Sequence, residues 1–128
     1  GYYKPPPPRH FSEPSIIHKA YKFYIILYFC TKQFPKKDRF TIGKKCEQIL
    51  LEILELLFDA NAKYGTQRIF ILKKIDIKLK ILKIMVRLAF DVKVIDQKKY
   101  ISLEKELQEI GKMLGGWIKS SSNKVAQI

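Results

Sequence analysis

The chain has 128 residues, and its 25 Lys and Arg against 12 Asp and Glu give a formal net charge of +13. A hydrophobic fraction of 47% is typical of a globular protein and excludes disorder of the whole chain. The excess of positive charge predicts a polyanionic partner, such as a nucleic acid, an anionic membrane or an acidic protein; the alternative is a lysine-rich surface that only keeps the protein soluble.

Residues 1–14 form the first segment, which contains four consecutive prolines, Pro5 to Pro8. Such a run favours an extended polyproline conformation, because proline lacks the N–H that a helix interior requires. We therefore predict a mobile N-terminal arm ahead of the folded domain. A proline-rich recognition peptide is the alternative.

Residues 15–34 and 38–63 are predicted to form the first two helices. Ser15 is a suitable N-cap for the first helix, and Pro35 ends it. In the first helix, apolar residues spaced 4-3-4-3-4 share one face: Ile16, Ala20, Phe23, Leu27, Cys30 and Phe34. The second helix repeats this spacing with Ile42, Cys46, Ile49, Ile53, Leu56 and Ala60.

Residues 66–95 and 98–119 are predicted to form the third and fourth helices. The apolar stripe of the third helix consists of Leu72, Ile75, Leu79, Leu82, Val86 and Ala89. The stripe of the fourth helix consists of Leu103, Leu107, Ile110, Leu114 and Trp117. Residues 120–128 are predicted to be a polar C-terminal tail, because a run of Ser and Asn follows the last helical stripe.

Four amphipathic segments with short connections predict an all-α fold, an antiparallel up-down-up-down four-helix bundle over residues 15–119. Cys30 and Cys46 fall at core positions and outside any CxxC motif, so reduced thiols in a cytoplasmic compartment are expected. The longest apolar run, residues 23–30, is shorter than the roughly 20 residues that span a bilayer.

The third helix carries a second apolar arc, centred about 140° from the first on a helical projection. Its members are Ile77, Ile81, Ile84, Leu88, Val92 and Ile95. A surface helix of a monomer usually has one apolar stripe, so we predict that the second arc is a homo-oligomer interface. The alternative is a broad stripe that the neighbouring helices bury.

Positive charge is concentrated in residues 63–99, where eleven Lys and Arg against three Asp give a local net charge of +8. Lys73, Lys80 and Arg87 are seven residues apart and form a row along one helix face. We predict that this row contacts the phosphates of a nucleic acid. The full set of candidate residues for binding a nucleic acid or a protein partner is Arg68, Lys73, Lys74, Lys78, Lys80, Lys83, Arg87, Lys93 and Lys112.

The sequence contains none of the common catalytic motifs. It has no glycine-rich phosphate loop and no HExxH, CxxC or GxSxG pattern. Glu52 and Glu55 are three residues apart, but the ExxH pair of a di-iron bundle is missing. We expect no catalytic residue, no metal and no cofactor, and therefore a protein that is not an enzyme.

Residues 109–119, with the sequence EIGKMLGGWIK, resemble the C-terminal end of the accessory variability determinant (Avd) proteins of diversity-generating retroelements. Residues 34–40, 50–60 and 87–93 support this resemblance, which extends over about residues 12–120. The wider family of four-helix bundles also includes proteins encoded in ribosomal RNA intervening sequences. Lys112 departs from the pattern, because an arginine is expected there; it keeps the charge but loses bidentate contacts.

The resemblance implies a homopentameric barrel of four-helix bundles in a prokaryotic or phage-encoded system. It also implies binding to a reverse transcriptase and its template RNA, with DNA as a further candidate ligand, in support of mutagenic cDNA synthesis by the partner enzyme. One alternative is a structural bundle of the ribosomal intervening-sequence type with no reverse transcriptase partner. A second is a membrane-surface protein that uses Tyr21, Tyr24 and Tyr28; we expect no membrane partner.

Overall fold

The computed structural model describes residues 14–127, which contain helices and no β-strand. The elements are α1 (Ser15–Lys32), α2 (Lys36–Asp38), a π-helical turn (Arg39–Gly43), α3 (Lys44–Asn61), α4 (Gly65–Asp91) and α5 (Gln97–Ala126). Helices α1, α3, α4 and α5 are the four long helices. Helix α4 packs against α3 and α5, and α1 completes the bundle by contacting the same two helices. The predicted arm lies outside the described residues except for Pro14.

Contacts between the long helices show that neighbours run antiparallel. The end of α1 meets the start of α3, where the Thr31 hydroxyl donates to Glu47 at 3.0 Å. The middle of α4 meets the middle of α3 through Lys78 and Glu52, whose charged atoms are 2.5 Å apart. The end of α1 meets the start of α5, where Cys30 and Lys99 line one pocket. The start of α4 meets the end of α5, where Arg68 and Lys124 line another. The prediction of an up-down-up-down four-helix bundle is confirmed at the level of the single chain.

Side chains at the predicted helical spacing fill the core. Every stripe residue of the first and third helices is buried, as are Leu103, Leu107, Ile110 and Leu114 of the fourth. The stripe of α3 is rotated from the predicted one, because Leu50 and Leu57 are fully buried whereas Ile42 and Leu56 are half-buried. Burial raises the pKa of the Cys46 thiol to about 12 and also raises the pKa of Cys30, so both free thiols are poor nucleophiles.

The predicted end of the third helix is wrong. Helix α4 stops at Asp91, and Lys93 adopts a left-handed conformation with φ of 65°. The N–H of Val94 then donates to the Ala89 carbonyl at 2.8 Å, and that of Lys93 donates to Phe90 at 3.0 Å, as in a Schellman motif. The chain turns back here and buries Ile95, which is 7% exposed. Ile95 therefore belongs to the core and not to an outward-facing arc.

The other two corrections concern the second and fourth helices. The helical path toward α3 begins at Lys36 and contains the π-helical turn before Lys44. Gly43 in this turn is buried, and a Cβ there would lie 3.2 Å from Phe34 and 3.3 Å from Thr31. Helix α5 continues to Ala126, so the polar tail predicted from residue 120 is wrong for residues 120–126.

The left-handed residue at the end of α4 gives a stability prediction. Replacing Lys93 with glycine removes the clash that a Cβ causes at positive φ, so we expect stabilisation by about 0.5–1 kcal/mol after the entropy cost of glycine. Urea unfolding measures this difference. Lys93→Ala is the control, because it removes the same charge and keeps the Cβ. Equal midpoints for the two variants would contradict the account of this turn.

Candidate nucleic-acid interface

The row of cations predicted on the third helix lies on the outside of α4. Lys73, Lys80 and Arg87 are all exposed, with 71% of the Lys80 side chain and 57% of the Arg87 side chain accessible. At the helical rise of 1.5 Å per residue, neighbouring members of the row are about 10 Å apart. Because the helix is rigid, these charges have a fixed spacing along one line.

Helix α5 carries a second row that the sequence analysis did not identify, apart from one member. Lys98, Lys105, Lys112 and Lys119 are exposed and also seven residues apart. Seven-residue spacing places them along one face of the helix, as in α4. The sequence contains this spacing, but cations are less dense in this segment than in residues 63–99, so the row was not predicted.

The antiparallel packing of α4 and α5 brings the two rows together. A surface groove of about 310 Å³ between the helices is lined by Lys80 and Lys83 from α4 and by Lys112 from α5. Lys83 approaches α5 closely, since its Nζ would lie 3.6 Å from a Cβ on Gly111. We call the surface formed by both rows and Lys83 the basic face. It places cations on both sides of one groove, which neither helix does alone.

Acidic side chains neutralise only part of the basic face. Lys80 pairs with Asp76 at 3.0 Å, and Arg87 pairs with Asp91 at 3.0 Å, each within one turn of α4. Exposed ion pairs of this kind contribute little stability, so a phosphate can replace the carboxylate as the partner of the cation. Within residues 14–127, Lys73 and Lys112 form no ion pair. The face thus keeps an excess of positive charge that phosphates can neutralise.

Two aromatic rings orient Arg87 at one end of the face. Phe90 and Tyr100 stack with their centroids 4.7 Å apart and their planes 14° apart. The Arg87 guanidinium carbon lies 5.8 Å from each ring centroid. Cation–π contacts and the Asp91 hydrogen bond therefore hold this charge in a defined position above the junction of α4 and α5.

Arg68 has a structural environment that differs from that of the other candidates. Its Nε donates to the Ala60 carbonyl at 2.9 Å and its Nη2 to the Asn61 carbonyl at 3.3 Å, which caps the end of α3. Its guanidinium carbon lies 5.3 Å from the Trp117 ring centroid and 5.8 Å from that of Tyr64. The structure therefore assigns Arg68 to the junction of α3, α4 and α5 and not to the basic face.

The remaining candidates lie away from the groove. Lys78 points toward α3, where its hydrogen bond lowers the pKa of the Glu52 carboxylate. Lys74 is exposed and lies over the Phe70 ring, with its Nζ 4.8 Å from the centroid. Lys93 is exposed in the turn after α4. The structure thus groups five of the nine predicted residues, namely Lys73, Lys80, Lys83, Arg87 and Lys112.

The second apolar arc of α4 is open to solvent in the single chain. Its exposed members, with their accessible fractions, are Ile77 (59%), Ile81 (43%), Ile84 (67%), Leu88 (41%) and Val92 (52%). Phe70 extends the same stripe and is 63% exposed. We call these six residues the outer stripe. The neighbouring helices do not cover it, which leaves a long apolar surface beside the α4 row of the basic face.

Two other features are absent from residues 14–127. No helix there is both long and apolar enough to cross a membrane. No group of three or more His, Cys, Asp or Glu side chains in this part of the chain lies close enough to hold a metal ion.

The capping role of Arg68 gives a second stability prediction. Arg68→Lys keeps the charge but cannot donate from two fixed positions, so we expect destabilisation by about 1–2 kcal/mol. Arg87→Lys is the matched control, because Arg87 is exposed and caps no helix; its unfolding midpoint should stay close to that of the unmodified protein. Urea unfolding followed by circular dichroism compares the two. An equally small effect of Arg68→Lys would contradict the structural role.

Comparison with known proteins gives a match to a protein family. No curated protein shows significant sequence similarity to this chain. The bAvd-like family matches residues 15–121, which comprise the four long helices almost completely. That range includes the basic face and the outer stripe. The chain therefore belongs to the bAvd-like family.

Proposed function

We propose that this protein is a non-catalytic accessory subunit of a diversity-generating retroelement. It binds the template RNA through the basic face, assembles with copies of itself through the outer stripe and binds the reverse transcriptase that carries out cDNA synthesis. Family membership supports the accessory role. The observation that carries the RNA-binding part is the basic face, where two helices place rows of cations along one groove.

The basic face suits a long polyanion better than a small ligand. Its cations are distributed along two helices and are mostly exposed, so each can contact a separate phosphate. The groove between the helices is open to solvent, and its polar lining consists of three lysines together with Asp76 and Gln108. Phosphate contacts of this type release counterions, so binding should weaken steeply as salt increases.

Self-association through the outer stripe follows from its exposed area and its position. A ring of five copies requires two different patches on each copy, because the interface is head-to-tail and closes by rotation. The outer stripe is the first patch. The second patch that we propose is on the neighbouring helices α1 and α3, where Tyr21, Tyr28, Leu51 and Phe58 are 42–58% exposed.

Charge supports this pairing of patches. The α4 row borders the outer stripe, while the solvent side of α3 has Glu55 close to Phe58 in sequence and no Lys or Arg between residues 46 and 62. Opposite charges at the edge of an apolar interface fix its orientation more than its affinity. In this arrangement the outer stripe of one copy packs against α1 and α3 of the next, and the groove between α4 and α5 remains open to RNA.

Charge reversal tests the basic face directly. Changing Lys73, Lys80 and Arg87 together to Glu should abolish binding of a base-paired RNA hairpin, because a whole row of the basic face becomes acidic. Helicity should be retained, because these side chains are exposed. A milder test compares Lys80→Glu/Lys112→Glu with Lys22→Glu/Lys124→Glu, which changes net charge equally away from the face. Fluorescence anisotropy at several salt concentrations gives the affinities. The Lys80/Lys112 variant should lower the slope of log affinity against log salt by about 2.

Two results would contradict the proposal. Equal RNA affinity of both double variants would show that net charge matters and that the basic face does not. Failure of the unmodified protein to bind RNA at low salt would exclude the RNA-binding role and leave the structural-bundle alternative. The reverse transcriptase partner is tested separately, since its gene should lie beside the gene for this protein and the two products should co-purify.

A further inference from the structure

One end of the bundle brings together two connections that are distant in sequence. The segment after α1 and the segment between α4 and α5 line the same cavity of about 430 Å³, with Phe34 on one side and Val94 and Ile95 on the other. Eight cations surround this end. They are Lys32, Lys36, Lys37, Arg39, Lys44, Lys45, Lys93 and Lys99, and we call this surface the basic end.

Positive charge at the basic end is largely unopposed. None of its eight cations forms an ion pair within residues 14–127. Asp38 lies in the same segment, but one carboxylate leaves the eight cations in large excess, and the other nearby carboxylates have partners elsewhere. Asp96 caps α5 by accepting the N–H of Lys99 at 2.8 Å, and Asp91 is paired with Arg87. Glu47 accepts hydrogen bonds from Tyr24 and Thr31. The basic end is therefore less neutralised than the basic face.

An aromatic ring in the same segment as several of these cations is exposed to solvent. Phe40 is 63% exposed, and the Arg39 guanidinium carbon lies 5.9 Å from its ring centroid. The ring belongs to the π-helical turn, which is anchored on its inner side by buried Gly43. The Thr41 hydroxyl also donates to the Lys37 carbonyl at 2.9 Å. Phe40 is thus presented outward by an ordered helical segment.

An exposed ring surrounded by cations is the arrangement with which proteins bind single-stranded nucleic acids. Unpaired bases stack on aromatic side chains, and the neighbouring Lys and Arg neutralise the phosphates. In a duplex the bases are already stacked on one another, so only the backbone is available for binding to this surface. Phe29, which is 58% exposed, lines the cavity at the same end, but a membrane surface calls for a wider apolar face than these two rings provide.

We propose that the basic end binds a single-stranded segment of RNA, with one base stacked on Phe40 and the adjacent phosphates on the surrounding cations. The inference rests on the proposed function, because the same RNA would occupy the basic face. Lys98 belongs to the α5 row and lies next to Lys99, so the two surfaces are continuous. The protein would then hold paired RNA along the basic face and an unpaired segment at the end of the bundle.

Substitution of the ring tests this inference with two RNA probes of equal length, a single-stranded oligouridine and a blunt hairpin. Phe40→Ala should weaken single-strand binding roughly 5- to 100-fold, which is the range for loss of one stacked base. It should leave hairpin binding within about twofold, because duplex binding needs no stacking platform. Phe40→Trp should keep single-strand affinity, since indole also stacks.

The matched control lies at the opposite end of the bundle. Tyr64 is 80% exposed, and the Arg68 guanidinium carbon lies 5.8 Å from its ring, so this pair, like Phe40 with Arg39, places an arginine beside an exposed aromatic ring. Tyr64→Ala should leave both affinities unchanged. Circular dichroism confirms that each variant is folded.

The outcomes separate this inference from the proposed function. If unmodified protein binds both RNAs and Phe40→Ala affects neither more than Tyr64→Ala does, the basic end is not a stacking site, while RNA binding by the basic face stands. If unmodified protein binds neither RNA, the proposed function fails and the inference fails with it. Binding of phosphatidylserine vesicles that Phe40→Ala abolishes, with RNA affinity unchanged, would overturn the inference in favour of a membrane surface.

Discussion

Helix α4 is apolar on two separate sides, about 140° apart, and only one of them can face the core of a four-helix bundle. The inner side, from Leu72 to Ala89, is almost completely buried against α3 and α5. The outer stripe remains in water, where each exposed aliphatic side chain forgoes the roughly 25 cal/mol per Å² that burial would contribute. The core of the single chain is therefore fully packed, whereas the outer stripe of α4 is not covered by any other helix within residues 14–127.

Several acidic residues bind cations or backbone groups of the same chain, which leaves most other cations without a carboxylate partner. Lys19 pairs with Glu106 and Glu109 between α1 and α5, and these hydrogen bonds lower the pKa of Glu109. Glu52 is engaged by Lys78, and Asp96 caps a helix. These ion pairs thus neutralise carboxylates at the contacts between helices. Most of the cations on the basic face and the basic end have no carboxylate partner, so much of the net charge of +13 acts on these two surfaces.

Periodicity predicted the core well because burial in a bundle depends mainly on which helix face a residue occupies. The helix ends were less predictable. Lys93 takes the left-handed position that glycine usually occupies, so no glycine marked the end of α4 before Ile95. Residues 120–126 contain polar side chains but no proline or glycine, and α5 therefore continues through them with Ser121 buried.

The positions of the residues in the candidate surfaces depend on tertiary packing more than the identity of the core residues does. The α4 row was readable from spacing alone, but its convergence with Lys112 depends on the register between α4 and α5. Arg68 looked like one more cation, and only the packed structure shows the carbonyls and rings that engage it. Phe40 could not be recognised as an exposed ring, because the π-helical turn shifts the register of the residues before α3.

The molar mass in solution tests the central claim, that the outer stripe joins copies of this chain. Size-exclusion chromatography coupled to light scattering, at low and high salt, should give about five times the 15.1 kDa of one chain. Ile77→Lys/Ile84→Lys, which places charge in the middle of the stripe, should give the mass of one folded chain. A single-chain mass for the unmodified protein at every concentration and salt would contradict the account.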